Sequence, residues 1–117
     1  MITSPPPGPL LDVDAVARLR ALSLRVARAG EDPFADLMRL FARDGRARVD
    51  ALRATVDPHE IRRLAHACKG AALQMGARRM AQAAAALESK PDVASTVDAV
   101  DELERLFVES LAALGAK

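Results

Sequence analysis

The sequence predicts an all-α protein, an antiparallel four-helix bundle with an additional N-terminal helix, on three observations. Apolar residues recur at spacings of three and four in five successive segments, the mark of helices that bury one stripe each. Ala and Leu dominate those segments, while aromatics make up 3% of the 117 residues and Trp and Tyr are absent. Such a composition favours helices packed on helices over strands. Gly and Pro fall mostly between the segments, beside residues that cap helices.

Residues 1–10 read as a flexible Pro-rich leader, and 11–117 as a single domain, since a chain of this length encloses one core but not two. Leu11-Asp12-Val13-Asp14 can cap a first helix with Val16, Leu19, Leu22 and Val26 as its stripe, and Gly30 is its natural stop. Asp32-Pro33 gives a second start, a cap followed by proline at the first helical position, with Phe34, Leu37, Met38 and Phe41 on one stripe that Val49, Leu52 and Val56 continue. Polar residues and Gly45 in the middle of that helix leave room for a kink or short break. Asp57-Pro58-His59-Glu60 starts a third helix, with Asp57 as cap and Glu60 reaching back in a capping box. It runs to about Met75, and Gly76 ends it. An Ala-rich fourth helix extends from Ala77 to about Ser89, its alanines allowing a close neighbour. After the break at Lys90-Pro91-Asp92, Val93, Val97, Val100, Phe107, Leu111 and Leu114 recur at helical spacing, widened by Leu103 and Leu106. The four stripes after Asp32, joined by short connections, can be buried together only in an antiparallel bundle, with the first helix covering one end or side.

Charge excludes several functions. With 17 Lys and Arg against 16 Asp and Glu, the net charge is +1, too little to create a general field for nucleic acid or an anionic membrane. No apolar run approaches the roughly 20 residues that span a bilayer, and the first residues lack a secretory signal. A single cysteine, Cys68, forms no internal disulfide and fits a reducing compartment. The expectation is a soluble cytoplasmic monomer, with neither nucleic acid nor membrane as partner.

One constellation stands out. On a helical wheel, Ile61, Leu64, Ala65, Cys68, Ala72 and Met75 share the face of the third helix that must be buried, and His66 lies about 140° from its middle. The imidazole should therefore meet solvent. Arg62 one turn before it and Lys69 and Gly70 one turn after are its helical neighbours, and Leu73 shares the exposed strip. A lone surface histidine is usually only solvated, as His59 is expected to be, and Cys68 on the buried face is expected to pack. The joint arrangement has a chemical use. Imidazole is a nitrogen nucleophile near neutral pH; cations beside it disfavour its protonation and would pair with phosphate oxygens; a missing side chain at position 70 admits a partner. Leu73 would then belong to an apolar docking surface.

The string Leu64-Ala65-His66-Ala67-Cys68-Lys69-Gly70-Ala71-Ala72-Leu73-Gln74-Met75-Gly76-Ala77 resembles the signature of histidine phosphotransfer domains, an alanine-histidine pair followed by lysine-glycine and glycine-alanine. Met80 falls where that family usually has leucine, and Leu87-Glu88 looks like its closing leucine-glutamate pair. Upstream, Gly30 to Phe34 with Leu37, Leu40 and Phe41 is similar to the family's preceding helix. Cys68, in place of a larger apolar residue, and Ala71, in place of a frequent serine, are mild departures. The resemblance implies a phosphorelay intermediate that takes a phosphoryl group on His66 from the aspartyl phosphate of a receiver domain and passes it to another receiver's aspartate. Lys69 would steady the phosphoryl group, Gly70 give clearance, and Gln74 contact the ring or the partner, with Arg62 and Leu73 on the docking surface. The implied partners are receiver domains of response regulators and of a hybrid histidine kinase.

Neither a carboxylate cluster at His66 nor a glycine-rich phosphate loop is visible, so no cofactor or ATP site of its own is expected. Mg²⁺ is expected on the receiver partner. The alternative is a docking or inhibitory module that binds a receiver or histidine kinase without carrying phosphate. Two further readings fit poorly: a dimerising sensor-kinase half has no room here for an ATP-binding domain, and the two histidines lack supporting ligands for a metal.

Overall fold

Three aspartates begin three of the helices, each by accepting a hydrogen bond from a first-turn amide that has no partner inside the helix. Asp12 accepts from the Ala15 N–H at 3.0 Å, Asp32 from Ala35 at 3.1 Å and Asp57 from His59 at 3.0 Å. The computed structural model describes residues 8–91 and 93–115, with side chains for all of these but 93–95. The expected leader therefore falls largely outside the described residues, as does Asp92. Five helices follow in order: α1 (Val13–Val26), α2 (Pro33–Ala54), α3 (Pro58–Gln74), α4 (Arg78–Ser89) and α5 (Val93–Gly115). Among the described residues there is no strand. The expected fold class is the observed one.

The turn between α3 and α4 fixes the geometry of the site. Gly76 takes φ +73°, a left-handed conformation that side chains disfavour. Its N–H reaches the Leu73 carbonyl, while the Ala77 N–H reaches that of Ala72, the paired bonds of a Schellman ending. The chain before α1 is stitched to this turn, because the Asp12 N–H donates to the Gly76 carbonyl at 2.8 Å and the Arg79 N–H to that of Leu10 at 3.2 Å. A side chain at position 76 would also collide with Val16. So the N-terminal helix is held against the end of the bundle where α3 turns into α4.

The helices α2 to α5 form the bundle. Each packs on the next and α5 closes back on α2. Between them lie Val49, Leu52, Ile61, Met80, Leu103, Phe107 and Leu114, all at most 1% exposed. The Phe41 and Phe107 rings meet edge to face at 5.6 Å, a geometry favoured by the ring quadrupoles.

One question the sequence leaves open is answered, and four local expectations need correction. The helix α2 runs unbroken through Gly45, and the glycine has a packing reason: a Cβ there would run into the Phe107 ring. Val56 does not continue the α2 stripe; it lies past the helix end and is exposed. Glu60 forms no capping box, since its carboxylate is taken by Arg63 one turn on, and the Asp57 N–H is instead satisfied by the Thr55 hydroxyl at 3.2 Å. In α1 the covered strip is Val16, Leu19 and Ser23, whereas Leu22 and Val26 are exposed. A helix laid on the end of a bundle is covered along a narrower line than one inside it. In α5, Val97 is likewise exposed, while Val93 lies outside the described side chains.

Candidate functional site

The buried side of α3 is the one the periodicity predicts: Ile61, Leu64, Ala65, Cys68, Ala72 and Met75 are all buried. The helix is thereby fixed in rotation, and His66 is turned outward with 69% of its side chain exposed. Leu73 is 61% exposed on the same strip, and Arg62 and Gln74 are exposed as well. Among the described residues Arg62 has no ion-pair partner. At Gly70 an added Cβ would meet nothing within 4 Å, so the helix has open space one turn beyond the imidazole. Leu73 reaches the end of the strip, where with Asp12, Gly76 and Arg78 it edges a shallow recess.

The side chain that organises the site comes from the neighbouring helix. Glu88, in the last turn of α4, uses both carboxylate oxygens toward α3. Oε2 lies 2.5 Å from His66 Nδ1, and Oε1 accepts from the Lys69 ammonium at 2.6 Å. The hydrogen bond from Lys69 is the main cause, and that from His66 a further one, holding the Glu88 carboxyl below its ordinary range. It is thus ionised near neutral pH and can only accept. The ring nitrogen facing it must carry the proton. In neutral His66 this leaves the lone pair on Nε2, which has no hydrogen-bond partner among the described residues. The imidazole is oriented at one nitrogen and open at the other, the division of labour that a nucleophilic histidine requires.

Lys69 is placed differently from the sequence picture of a cation free beside the ring. Its side chain is 30% exposed and its ammonium is bound to Glu88, which among the described residues leaves Arg62 as the cation on the strip without an ion-pair partner. Sequence reasoning noticed Glu88 only as part of a terminal leucine-glutamate pair and assigned it no place at the site. Its 22-residue separation from His66 carries no local signal, because the contact exists only once α4 packs on α3.

The remaining candidates fall outside the site. His59 is exposed in the first turn of α3. Cys68 is 1% exposed, and burial pushes its thiol above the ordinary range, away from the thiolate that a reactive cysteine needs. Among the described residues no group of three or more His, Cys, Asp or Glu is placed to hold a metal ion, and no helix is long and apolar enough to cross a membrane. A cleft of about 510 Å³ lies between α1, the start of α2 and the end of α5, but none of the residues around His66 line it.

A family model described as the Hpt domain matches residues 36–115, from the first turn of α2 to the end of α5. No curated protein and no solved structure matched. The match covers more than half of the chain and contains the four helices of the bundle, the exposed histidine and the glutamate that orients it. The chain therefore belongs to the Hpt domain family, the histidine phosphotransfer modules of two-component phosphorelays, which are phosphoryl carriers rather than enzymes and work with receiver domains.

Proposed function

We propose that this domain is a phosphorelay intermediate that accepts a phosphoryl group on His66 Nε2 from the aspartyl phosphate of one receiver domain and delivers it to the aspartate of another. The observation that carries the reading is the Nδ1 contact to Glu88 on an imidazole that is otherwise in solvent. It supports the tautomer with the proton on Nδ1, in which the lone pair of the neutral ring is on Nε2 and faces an approaching partner.

In the accepting step, Nε2 attacks phosphorus in line with the departing aspartate oxygen. The P–O bond breaks and its electron pair returns to the aspartate carboxylate. The new phosphoimidazolium keeps its proton on Nδ1, where the positive charge of the ring faces the Glu88 carboxylate. Delivery reverses these events, and no proton need leave Nδ1 in either direction. Lys69 lies one turn away, placed to share its charge between Glu88 and the oxygens of the transferring group. Arg62 attracts the anionic partner, Leu73 supplies apolar contact, Gln74 a polar one, and Gly70 the clearance that lets a second active site close over the ring.

Positioning and charge are this chain's contribution. Mg²⁺ would arrive on the receiver, and the phosphoryl donor is a phosphorylated protein rather than ATP bound here. A hybrid histidine kinase and a response regulator, meeting this domain in the cytoplasm, are the classes of donor and acceptor that fit.

Incubation with a phosphorylated receiver domain tests the reading. The wild type should acquire an acid-labile, alkali-stable label, and His66→Gln should acquire none. A wild type that stays unlabelled, or a variant that keeps the label, rejects it.

A further inference from the structure

Glu88 is a single carboxylate with two duties, one oxygen on His66 Nδ1 and the other on Lys69 Nζ. In the unphosphorylated protein these are compatible. A phosphoryl group on Nε2 adds roughly two negative charges to the same corner, and three consequences then act in one direction. Glu88 stabilises the proton on Nδ1, so that Nε2 leaves phosphorus as a neutral imidazole nitrogen rather than as an imidazolate. It competes with the phosphoryl oxygens for Lys69, whose ammonium it already holds. Its own charge is like that of the phosphoryl group, and it sits on a flank where only 21% of the glutamate side chain is exposed, so solvent screens the repulsion less than on an open surface.

We propose that Glu88 keeps the phosphohistidine labile: the carboxylate that prepares His66 to receive the group also prevents it from being trapped there. This rests on the reading of His66 as phosphoacceptor. In the chemistry concerned, the Nε2–P bond breaks, its electron pair stays on Nε2, the Nδ1 proton remains in place, and the phosphoryl group passes to an aspartate oxygen or to water. Glu88 acts through the imidazole and Lys69, and is a positioning residue rather than a group that touches phosphorus.

A carrier of this kind should be poor storage and good relay. Replacing Glu88 by glutamine keeps the side chain's size and an oxygen that can accept from Nδ1. It removes the negative charge, weakens the hold on the Nδ1 proton and frees Lys69 for the phosphoryl oxygens. Both requirements are then met less well: arrival should slow, and departure should slow with it.

The test loads wild type, Glu88→Gln and Glu88→Ala with phosphoramidate, a small donor that needs no protein partner and gives up phosphoryl to the imidazole as ammonia leaves. Helical circular dichroism and melting first establish that each variant is folded. The lifetime of the label is then followed alone and with an unphosphorylated receiver domain. The expected result is that both variants load more slowly, that their phosphohistidine survives about tenfold longer, and that transfer to the receiver slows by a similar factor. A folded, loaded Glu88→Gln with a lifetime equal to or shorter than wild type overturns the proposal while leaving His66 as acceptor. A wild type that loads no label, or a His66→Gln that loads as well as it does, overturns the acceptor reading and this inference together.

Discussion

Gly45 and Gly70 both sit inside helices, where glycine is about 1 kcal/mol less favourable than alanine, yet the surroundings that exclude a side chain are opposite. At Gly45 the space is already filled, because the Phe107 ring packs where a Cβ would stand and the residue is buried. At Gly70 the space is empty, with nothing within 4 Å of the same hypothetical atom. The first glycine is explained by the molecule's own core. The second has no explanation inside the molecule, and the proposed docking of a receiver domain over the outward-facing histidine supplies one.

The sharpest way to break this contrast is to give each position a methyl group. Gly45→Ala should lower stability by about 2 kcal/mol, since the overpacking penalty exceeds the gain in helix propensity, and the melting temperature should fall by roughly 8 °C. Phe107→Leu in the same chain should relieve part of that penalty, so that the two changes together cost less than their sum; strict additivity would mean that the ring is not the obstacle. Gly70→Ala should act in the other direction and raise stability by about 1 kcal/mol. Its transfer from a phosphorylated receiver should slow, while loading from phosphoramidate stays near the wild-type rate, because only a large partner needs the gap. Slowing with both donors would place the obstruction at the imidazole itself. The smallest effect is expected at Ser110, whose hydroxyl is fully buried with no hydrogen-bond partner among the described residues. Ser110→Ala removes an unsatisfied polar atom and should stabilise by about 0.5 kcal/mol, read by the same melts.

Much of the fold was legible because its determinants are local. Asp12, Asp32 and Asp57 announce helix starts by residue type and spacing, and Gly76 announces an end that only a left-handed residue makes compactly. The outward placement of His66 followed from the wheel alone, since six apolar residues left one rotation for α3. What escaped was set by packing between segments. Gly45 looked like a weakness in α2 because the ring that needs its space lies on α5. Leu22 and Val26 looked buried because periodicity gives the apolar side of a helix but not how wide a partner covers it. Glu60 matched a capping pattern, yet the guanidinium of Arg63 lay within reach and a charged pair outcompeted the backbone amide. The site was half legible for the same reason. His66, Arg62, Lys69, Gly70, Leu73 and Gln74 lie on one helix and could be placed together, whereas the carboxylate that selects which imidazole nitrogen is free arrives on another.

The burial of Cys68 has a practical bearing on all such measurements. A chain without Trp or Tyr offers little intrinsic fluorescence by which to follow its opening, but its sole thiol is sealed between helices on the inner side of the very helix that carries His66. A thiol reagent added to the intact protein should wait for α3 to lift from the bundle before it can react. The modification rate then counts those openings molecule by molecule, and comparing the rate with and without a bound receiver would show whether docking clamps the helix or loosens it.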